Sequence, residues 1–175
     1  MDPAALREQL EQHHAACYGW AKSCCRGRAA DAEDVLQTAY LKILQGRARF
    51  DGRSSFRTWL FGVIRRTALD ERRRNWLRRL RLERLAREPV TEPEPSRNPA
   101  DRTEPSDRLG NILARLPRRQ QEVLHLSFYQ DLSLREASAV MGVSVGSARR
   151  HYERGKARLR QWLETETTTP GERWE

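Results

Sequence analysis

Hydrophobic residues recur at helical spacing in the first half of the chain. Residues 35–44 form one such stripe, and residues 56–64 form another. Because apolar residues three and four positions apart share one face of a helix, both stretches predict amphipathic α-helices. The segment GRARFDGRSS at 46–55 is rich in Gly and Ser and predicts a loop, and either of its serines can cap the second helix. A weaker helical pattern over Leu6–Cys25 would complete a small bundle.

Five prolines lie between residues 88 and 107, among Glu, Asp, Ser and Thr. Proline fixes φ and lacks the amide proton, so this stretch is neither helix nor central strand. The sequence therefore predicts a linker over 88–107, between an N-terminal domain at 1–87 and a C-terminal domain at 108–164 with a tail at 165–175. The linker's acidity would suit a basic surface, but an unattached tether is the simpler expectation.

The C-terminal domain shows a helix-turn-helix pattern. Short helices are predicted over residues 109–116 and 123–128. They are followed by a third helix capped by Ser133, by a turn at 142–144 that contains glycine, and by a long basic helix at about 145–163. No strand-like alternation of useful length occurs. The expected fold is all-α, with two small helical domains joined by a Pro-rich linker.

The charge of the chain points to nucleic acid. Its 33 Lys and Arg outnumber its 24 Asp and Glu, for a formal net charge of +9, and such an excess attracts phosphate. Arginine can also contact guanine through two hydrogen bonds in the major groove. On the long basic helix the candidates are Arg149, Arg150 and His151 for base edges, and Arg154, Lys156 and Arg158 for the DNA backbone.

A second arginine-rich segment, Phe50 to Arg84, also contains aromatic residues. Rings that stack on bases, beside arginines that follow phosphates, are typical of single-stranded nucleic-acid binding. Trp59 lies on the apolar stripe and suits core packing at least as well as base stacking. Phe61 lies off that stripe and is less easily explained by core packing.

Carboxylates cluster at the predicted start of the first helix, at Asp31, Glu33 and Asp34, with Gln37 one turn later. Acidic residues at the start of a helix interact favourably with the helix dipole, so a purely structural role is one alternative. Catalysis by paired carboxylates, as in a nucleic-acid enzyme, is another, but no phosphate-binding loop or nucleophile with a partner histidine supports it. An acidic face on a basic protein is better explained by docking onto a basic protein partner. We therefore expect no enzyme activity.

The three cysteines, Cys17, Cys24 and Cys25, lack the paired spacing of a zinc finger and suit reduced thiols packed in a helix. His13 and His14 lie near enough in sequence to keep metal binding open as an alternative. No metal or cofactor is expected. No apolar run approaches the length of about 20 residues that spans a bilayer, so we expect a cytoplasmic protein without membrane insertion.

Three blocks of sequence together resemble the extracytoplasmic-function (group IV) sigma factors of bacterial RNA polymerase. They are DAEDVLQTAYLKIL, RFDGRSSFRTWLFGVIRRTALDERRR and LPRRQQEVLHLSFYQDLSLREASAVMGVSVGSARRHYERGKARLR. They cover most of the chain from Ala30 to Leu159. The resemblance implies an alternative sigma factor that binds core RNA polymerase and directs promoter recognition and transcription initiation. A stand-alone helix-turn-helix regulator, which binds duplex DNA as a dimer, is the main alternative.

The resemblance also implies a role for each surface. The acidic helix would dock on the clamp of the largest polymerase subunit, the loop and following helix would capture the melted −10 strand, and the basic helix would read the −35 element. An anti-sigma factor would hold the protein inactive. The candidate residues are Asp31, Glu33, Asp34 and Gln37 for polymerase; Phe50, Arg53, Ser54, Ser55, Trp59, Arg65 and Arg66 for the −10 element; and Arg149, Arg150, His151, Glu153, Arg154 and Lys156 for the −35 element.

Two of these residues depart from the pattern of that family. Arg66 stands where the family commonly has Asn, at the end of the helix that begins with the TWL motif. Glu153 stands at a position that often contacts DNA, where a carboxylate can accept a hydrogen bond from cytosine N4 or repel a phosphate. Small changes at Ala137 and Ser138, where the usual pair is Ile and Ala, are compatible with the same packing.

Overall fold

A computed structural model describes residues 2–86, 113 and 115–167 of the chain. These residues form helices, turns and loops, with no strand among them, which confirms the all-α prediction. The chain divides into two compact units, Met1–Asn98 with Ala139–Gly142, and Pro99–Ser138 with Val143–Glu175. The predicted linker at 88–107 lies outside the described residues, as does most of the short helix predicted at 109–116. The seven helices described are α1 (Pro3–Gln12), α2 (His14–Cys24), α3 (Ala29–Leu44), α4 (Phe56–Ala86), α5 (Arg118–Phe128), α6 (Leu134–Met141) and α7 (Val145–Thr167).

The segment Leu6–Cys25, expected as one helix, contains a break. The carboxylate of Asp2 caps α1 by accepting hydrogen bonds from the amides of Ala4 and Ala5. His13 then ends α1 and precedes α2, with φ −97° and ψ 3°. The helix is therefore interrupted at His13, and the predicted single helix is two helices.

The core of the N-terminal unit lies among α2, α3 and α4. Trp20 and Phe61 are fully buried, with ring centroids 6.3 Å apart, and the Trp20 indole donates a hydrogen bond to the Phe61 carbonyl oxygen at 3.0 Å. Phe61 is therefore a core residue, although its position off the apolar stripe made core packing harder to predict. Lys42 of α3 donates a hydrogen bond to the hydroxyl of Thr67 on α4 at 3.1 Å.

The helix-turn-helix has the local structure that its sequence predicts. The Ser133 hydroxyl accepts a hydrogen bond from the Glu136 amide, and the Glu136 carboxylate accepts one from the Ser133 amide. This reciprocal capping box starts α6. Gly142 has φ +64°, a left-handed conformation that glycine adopts without steric cost, and it ends α6. Ser144 caps α7 by accepting a hydrogen bond from the Ser147 amide at 3.2 Å.

A glycine allows α5 and α7 to pack closely. A Cβ added at Gly155 of α7 would lie 2.8 Å from Leu124 Cδ1 and 3.2 Å from Gln120 Cβ on α5. Both distances are shorter than ordinary van der Waals contacts. The two helices can therefore approach this closely because Gly155 has no side chain. This packing fixes the face that α7 turns away from α5.

Candidate nucleic-acid interfaces

The acidic residues of α3 lie at its first turns, opposite the face that enters the core. Glu33, Asp34 and Gln37 are exposed, and residues three and four apart share one side of a helix. Asp31 is less exposed and forms an ion pair with Arg28, just before the helix. The structure therefore presents three of the four predicted residues as one polar face and holds the charge of Asp31 beside a cation.

The loop before α4 combines a structural serine with an exposed arginine. The Ser55 hydroxyl accepts a hydrogen bond from the Thr58 amide at 3.2 Å and donates one to the Thr58 hydroxyl at 2.8 Å, so Ser55 caps α4 as one of two predicted candidates. The Ser54 hydroxyl donates to the Ser55 carbonyl oxygen. The Arg53 side chain is 89% exposed and is paired only loosely with Asp51, at 3.3 Å. Arg53 is therefore available to a partner, whereas Ser55 supports the helix.

Three aromatic side chains, Phe50, Phe56 and Trp59, form an aromatic cluster beside this loop. Their ring centroids are 5.3–5.5 Å apart, and each side chain is only half-buried. The His13 ring stacks on Phe56 at 6.2 Å. Burial and the nearby cation of Arg57 lower the pKa of His13 below its usual range. A cluster of neutral, half-exposed rings is a surface on which unpaired bases can stack.

Arg65 and Arg66, which are consecutive on α4, lie in different surroundings. Arg66 is exposed, whereas Arg65 is only 6% exposed. The buried side chain of Arg65 would have to become accessible to contact a DNA strand, and the role predicted for it stays a prediction. Arg66 remains on the surface, where its charge can meet a phosphate.

The outer face of α7 carries most of the residues predicted to read duplex DNA. His151 is half-buried. Arg150 donates a hydrogen bond to the Ser147 hydroxyl at 3.3 Å, and Arg158 donates one to the Gln120 side chain at 3.2 Å. Arg158 is therefore held against α5 and is a weaker candidate for a DNA contact than its neighbours. Like Arg158, five other candidates are exposed: Arg149, Arg150, Glu153, Arg154 and Lys156.

The three cysteines are reduced thiols, and Cys17 and Cys25 are buried. Burial raises the pKa of Cys17 to about 12, so it remains a thiol at neutral pH and is a poor nucleophile and metal ligand. Within residues 2–86, 113 and 115–167, no group of three or more His, Cys, Asp or Glu side chains is placed to hold a metal ion. No helix in the same residues is long and apolar enough to cross a membrane.

The folds of two solved structures are similar to this chain. One is the sigma factor RpoE in complex with the anti-sigma factor NepR from Bartonella quintana, with a TM-score of 0.69 and 21% identity, covering 91% of this chain and 97% of that one. The other is CnrH in complex with the cytosolic domain of CnrY, with a TM-score of 0.65 and 24% identity, covering 94% and 90% of the two chains. At such identities the likeness establishes the fold.

Sequence comparison extends the likeness to the family. The family Sigma-70 region 2 matches residues 10–78, which hold the acidic face and the aromatic cluster, and Sigma-70, region 4 matches residues 106–159, which hold the helix-turn-helix. The RNA polymerase sigma-E factor of Streptomyces avermitilis is 34% identical over 138 residues, which span 77% of this chain and 72% of that protein. The ECF RNA polymerase sigma factor RpoE of Cereibacter sphaeroides is 31% identical over 136 residues, which span 77% and 74%. The chain therefore belongs to the extracytoplasmic-function sigma factors, and it is an alternative sigma factor that directs transcription initiation.

Proposed function

We propose that the two units of this sigma factor divide the work of promoter recognition. The N-terminal unit binds core RNA polymerase and the melted strand of the −10 element, and the C-terminal unit binds the −35 element as duplex DNA. The aromatic cluster is the observation that carries this proposal. Three half-exposed rings beside an exposed arginine suit unpaired bases, and a protein that binds only duplex DNA has no use for them.

The exposed acidic face of α3 is the proposed polymerase contact. Glu33, Asp34 and Gln37 present negative and polar groups on a chain whose net charge is +9. A local charge opposite to that of the whole molecule orients an approaching basic partner, here the clamp of the largest polymerase subunit. Asp31, already paired with Arg28, contributes less than the other three residues.

Competition for purified core polymerase against another sigma factor tests this contact. Asp34→Arg reverses one charge of this face, and we expect it to weaken polymerase binding by about 10- to 100-fold. Glu8→Arg, which changes an exposed acid on α1 in the same way, is the matched control and should bind like the wild type. Equal binding by the Asp34 variant would contradict the docking assignment. Failure of the wild-type chain to bind polymerase while it binds duplex DNA would favour a stand-alone regulator.

The aromatic cluster and the adjacent loop are the proposed −10 contact. Extruding a base from a duplex costs a few kcal/mol, which the binding surface must offset. Stacking on Phe50, Phe56 or Trp59 provides about 1–3 kcal/mol per base, and Arg53 and Arg66 provide charge for the phosphates. The loop backbone and Ser54 lie next to these groups, while Ser55 holds the start of α4 in place.

Binding of a promoter with an unpaired −10 region by the assembled holoenzyme tests the cluster. Trp59→Leu removes a stacking ring but keeps an apolar side chain, and we expect affinity for the unpaired region to fall about 5- to 150-fold. Trp76→Leu changes an exposed tryptophan of the same helix outside the cluster, so it serves as the control. Equal losses in the two variants, or a loss on a fully paired −35 duplex, would count against strand capture by the cluster.

The outer face of α7 is the proposed −35 contact. Arg149 and Arg150 lie near the start of α7, where a recognition helix meets base edges, and Arg154 and Lys156 lie farther along, where phosphates are in reach. Glu153 lies between them and opposes phosphate unless a cytosine amino group is present. The half-burial of His151 favours a supporting role over a direct base contact.

A partner protein provides the proposed regulation. The two similar structures are complexes, one of RpoE with the anti-sigma factor NepR and the other of CnrH with the cytosolic domain of CnrY. By analogy, an anti-sigma factor covers the surfaces of this chain that contact polymerase or DNA. The chain acts in the cytoplasm, where polymerase is found, and performs no catalysis of its own. Loss of polymerase binding on addition of the purified partner is the expected result.

A further inference from the structure

The histidine at the junction of α1 and α2 contacts the aromatic cluster. The backbone of His13 belongs to the hydrogen bonding of both helices. Its amide donates to the Gln9 carbonyl oxygen at 3.3 Å, and its carbonyl oxygen accepts from the Cys17 amide at 2.9 Å. Its side chain makes no capping hydrogen bond to α2. The junction therefore uses the backbone of this residue, and the imidazole ring is left for a contact with another element.

That contact is with Phe56, the first residue of α4. The two rings are nearly parallel, with centroids 6.2 Å apart and planes 26° apart. Phe56 meets the other two members of the cluster at steeper angles, Phe50 at 80° and Trp59 at 44°. The imidazole therefore lies along the Phe56 ring, whereas Phe50 meets it edge-on. A flat neighbour of this kind limits the rotation of the Phe56 side chain.

The stack joins two uncharged rings at neutral pH. Burial and the nearby cation of Arg57 lower the pKa of His13 below its usual range. The Arg57 guanidinium is itself held over the Phe61 ring, at 5.6 Å from the ring centroid. An imidazolium at His13 would meet this cation, so the neutral form is favoured. His13 therefore acts on the cluster by packing and not by adding charge.

We propose that His13 is a positioning residue for capture of the −10 strand, because its ring holds Phe56 in the orientation in which an unpaired base can stack. The inference rests on the proposed function of the aromatic cluster, and it adds a residue from outside α4 and its loop. Phe56 is half-buried, so part of its ring is open to a base and is not fixed by the core. A side chain that must be ordered on binding lowers affinity by about 2- to 12-fold. A ring that His13 already holds in place avoids this loss.

Binding of the assembled holoenzyme to a promoter with an unpaired −10 region is the test. His13→Gln removes the ring but keeps a polar side chain, and we expect affinity to fall by about 2- to 12-fold. His13→Phe restores a neutral ring and should restore the affinity of the wild type. His14→Gln is the matched control, since His14 is the exposed neighbour and contacts Tyr40 instead of the cluster. Because the stack is uncharged, the dependence of affinity on salt should be the same in all four proteins.

Other outcomes would overturn the inference. An equal loss in His13→Phe would show that the ring is not what matters, and an equal loss in His14→Gln would show that the effect is not specific to the cluster. If His13→Gln also weakened binding to core polymerase or to a fully paired −35 duplex, the residue would only stabilise the N-terminal unit. Wild-type affinity in His13→Gln with a loss in Trp59→Leu would reject the role of His13 and leave the proposed function standing. Wild-type affinity in both variants would reject both.

Discussion

His125 of α5 is a titratable group inside the C-terminal unit. Its ring stacks on Tyr129 at a centroid distance of 5.1 Å, and burial lowers its pKa from 6.5 to about 4. The unfolded chain therefore binds a proton more readily than the folded chain, and His125 destabilises the fold as the pH falls from about 6.5 towards 4.

We expect this titration to lower the free energy of unfolding by about 2 kcal/mol between pH 7.5 and pH 5. Urea denaturation at the two pH values measures the loss. His125→Gln keeps a polar side chain of similar reach but does not titrate, so the difference between the two pH values should shrink in that variant. An equal difference in both proteins would show that other groups cause the acid sensitivity.

The positions of several individual side chains could not be predicted from the sequence. Phe61 lies off the apolar stripe of α4, yet it is buried because Trp20 of α2 packs against it. Arg65 looks like an exposed cation in a basic segment, yet its position on α4 turns it inward. His13 reaches the aromatic cluster through a stack on Phe56, which is distant in sequence. Each of these placements depends on contacts between helices, and local spacing carries no information about such contacts.

At the scale of the helix, periodicity and capping residues were reliable guides. The stripe at 35–44 predicted α3, and the turn at 142–144 predicted the junction of α6 and α7. The break at His13 was missed because neither proline nor glycine marks it. The full length of α4 was missed because its second half is exposed and lacks the apolar stripe on which the prediction depended.

Packing of α5 against α7 leads to a prediction about Gly155. An added methyl group would meet Leu124 and Gln120 at 2.8 and 3.2 Å, and overpacking of this kind costs about 1–3 kcal/mol. Gly146→Ala is the matched control, since a Cβ there meets nothing within 4 Å in the same helix. Both variants gain the helix propensity of alanine. Urea denaturation should therefore find Gly155→Ala less stable than Gly146→Ala by about 1–3 kcal/mol. Equal stabilities would mean that α5 and α7 separate at little cost.

At the scale of the whole molecule, charged and aromatic side chains occupy separate segments, one for each proposed task. The net charge of +9 gives the chain a general attraction to DNA, while the acidic face of α3 interrupts it at the proposed polymerase contact. The proposed stacking surface lies in the N-terminal unit, and the proposed groove-reading face lies in the C-terminal unit. The sequence leads to this proposed division because each proposed task uses a different residue chemistry, and those chemistries occupy separate segments of the chain.

This division predicts that the two units contribute independently to promoter affinity. Trp59 belongs to the proposed −10 surface and Arg150 to the proposed −35 surface, so they share no partner, and substitutions without shared partners add within about 0.5 kcal/mol. The affinity of the holoenzyme for a promoter with an unpaired −10 region, measured for Trp59→Leu, Arg150→Ala and the double variant, gives the coupling energy. If recognition is independent, the losses of binding free energy in the two single variants add up to the loss in the double variant. A coupling above about 1 kcal/mol would show that binding at one element alters binding at the other, and promoter selectivity would then depend on the pair of elements together.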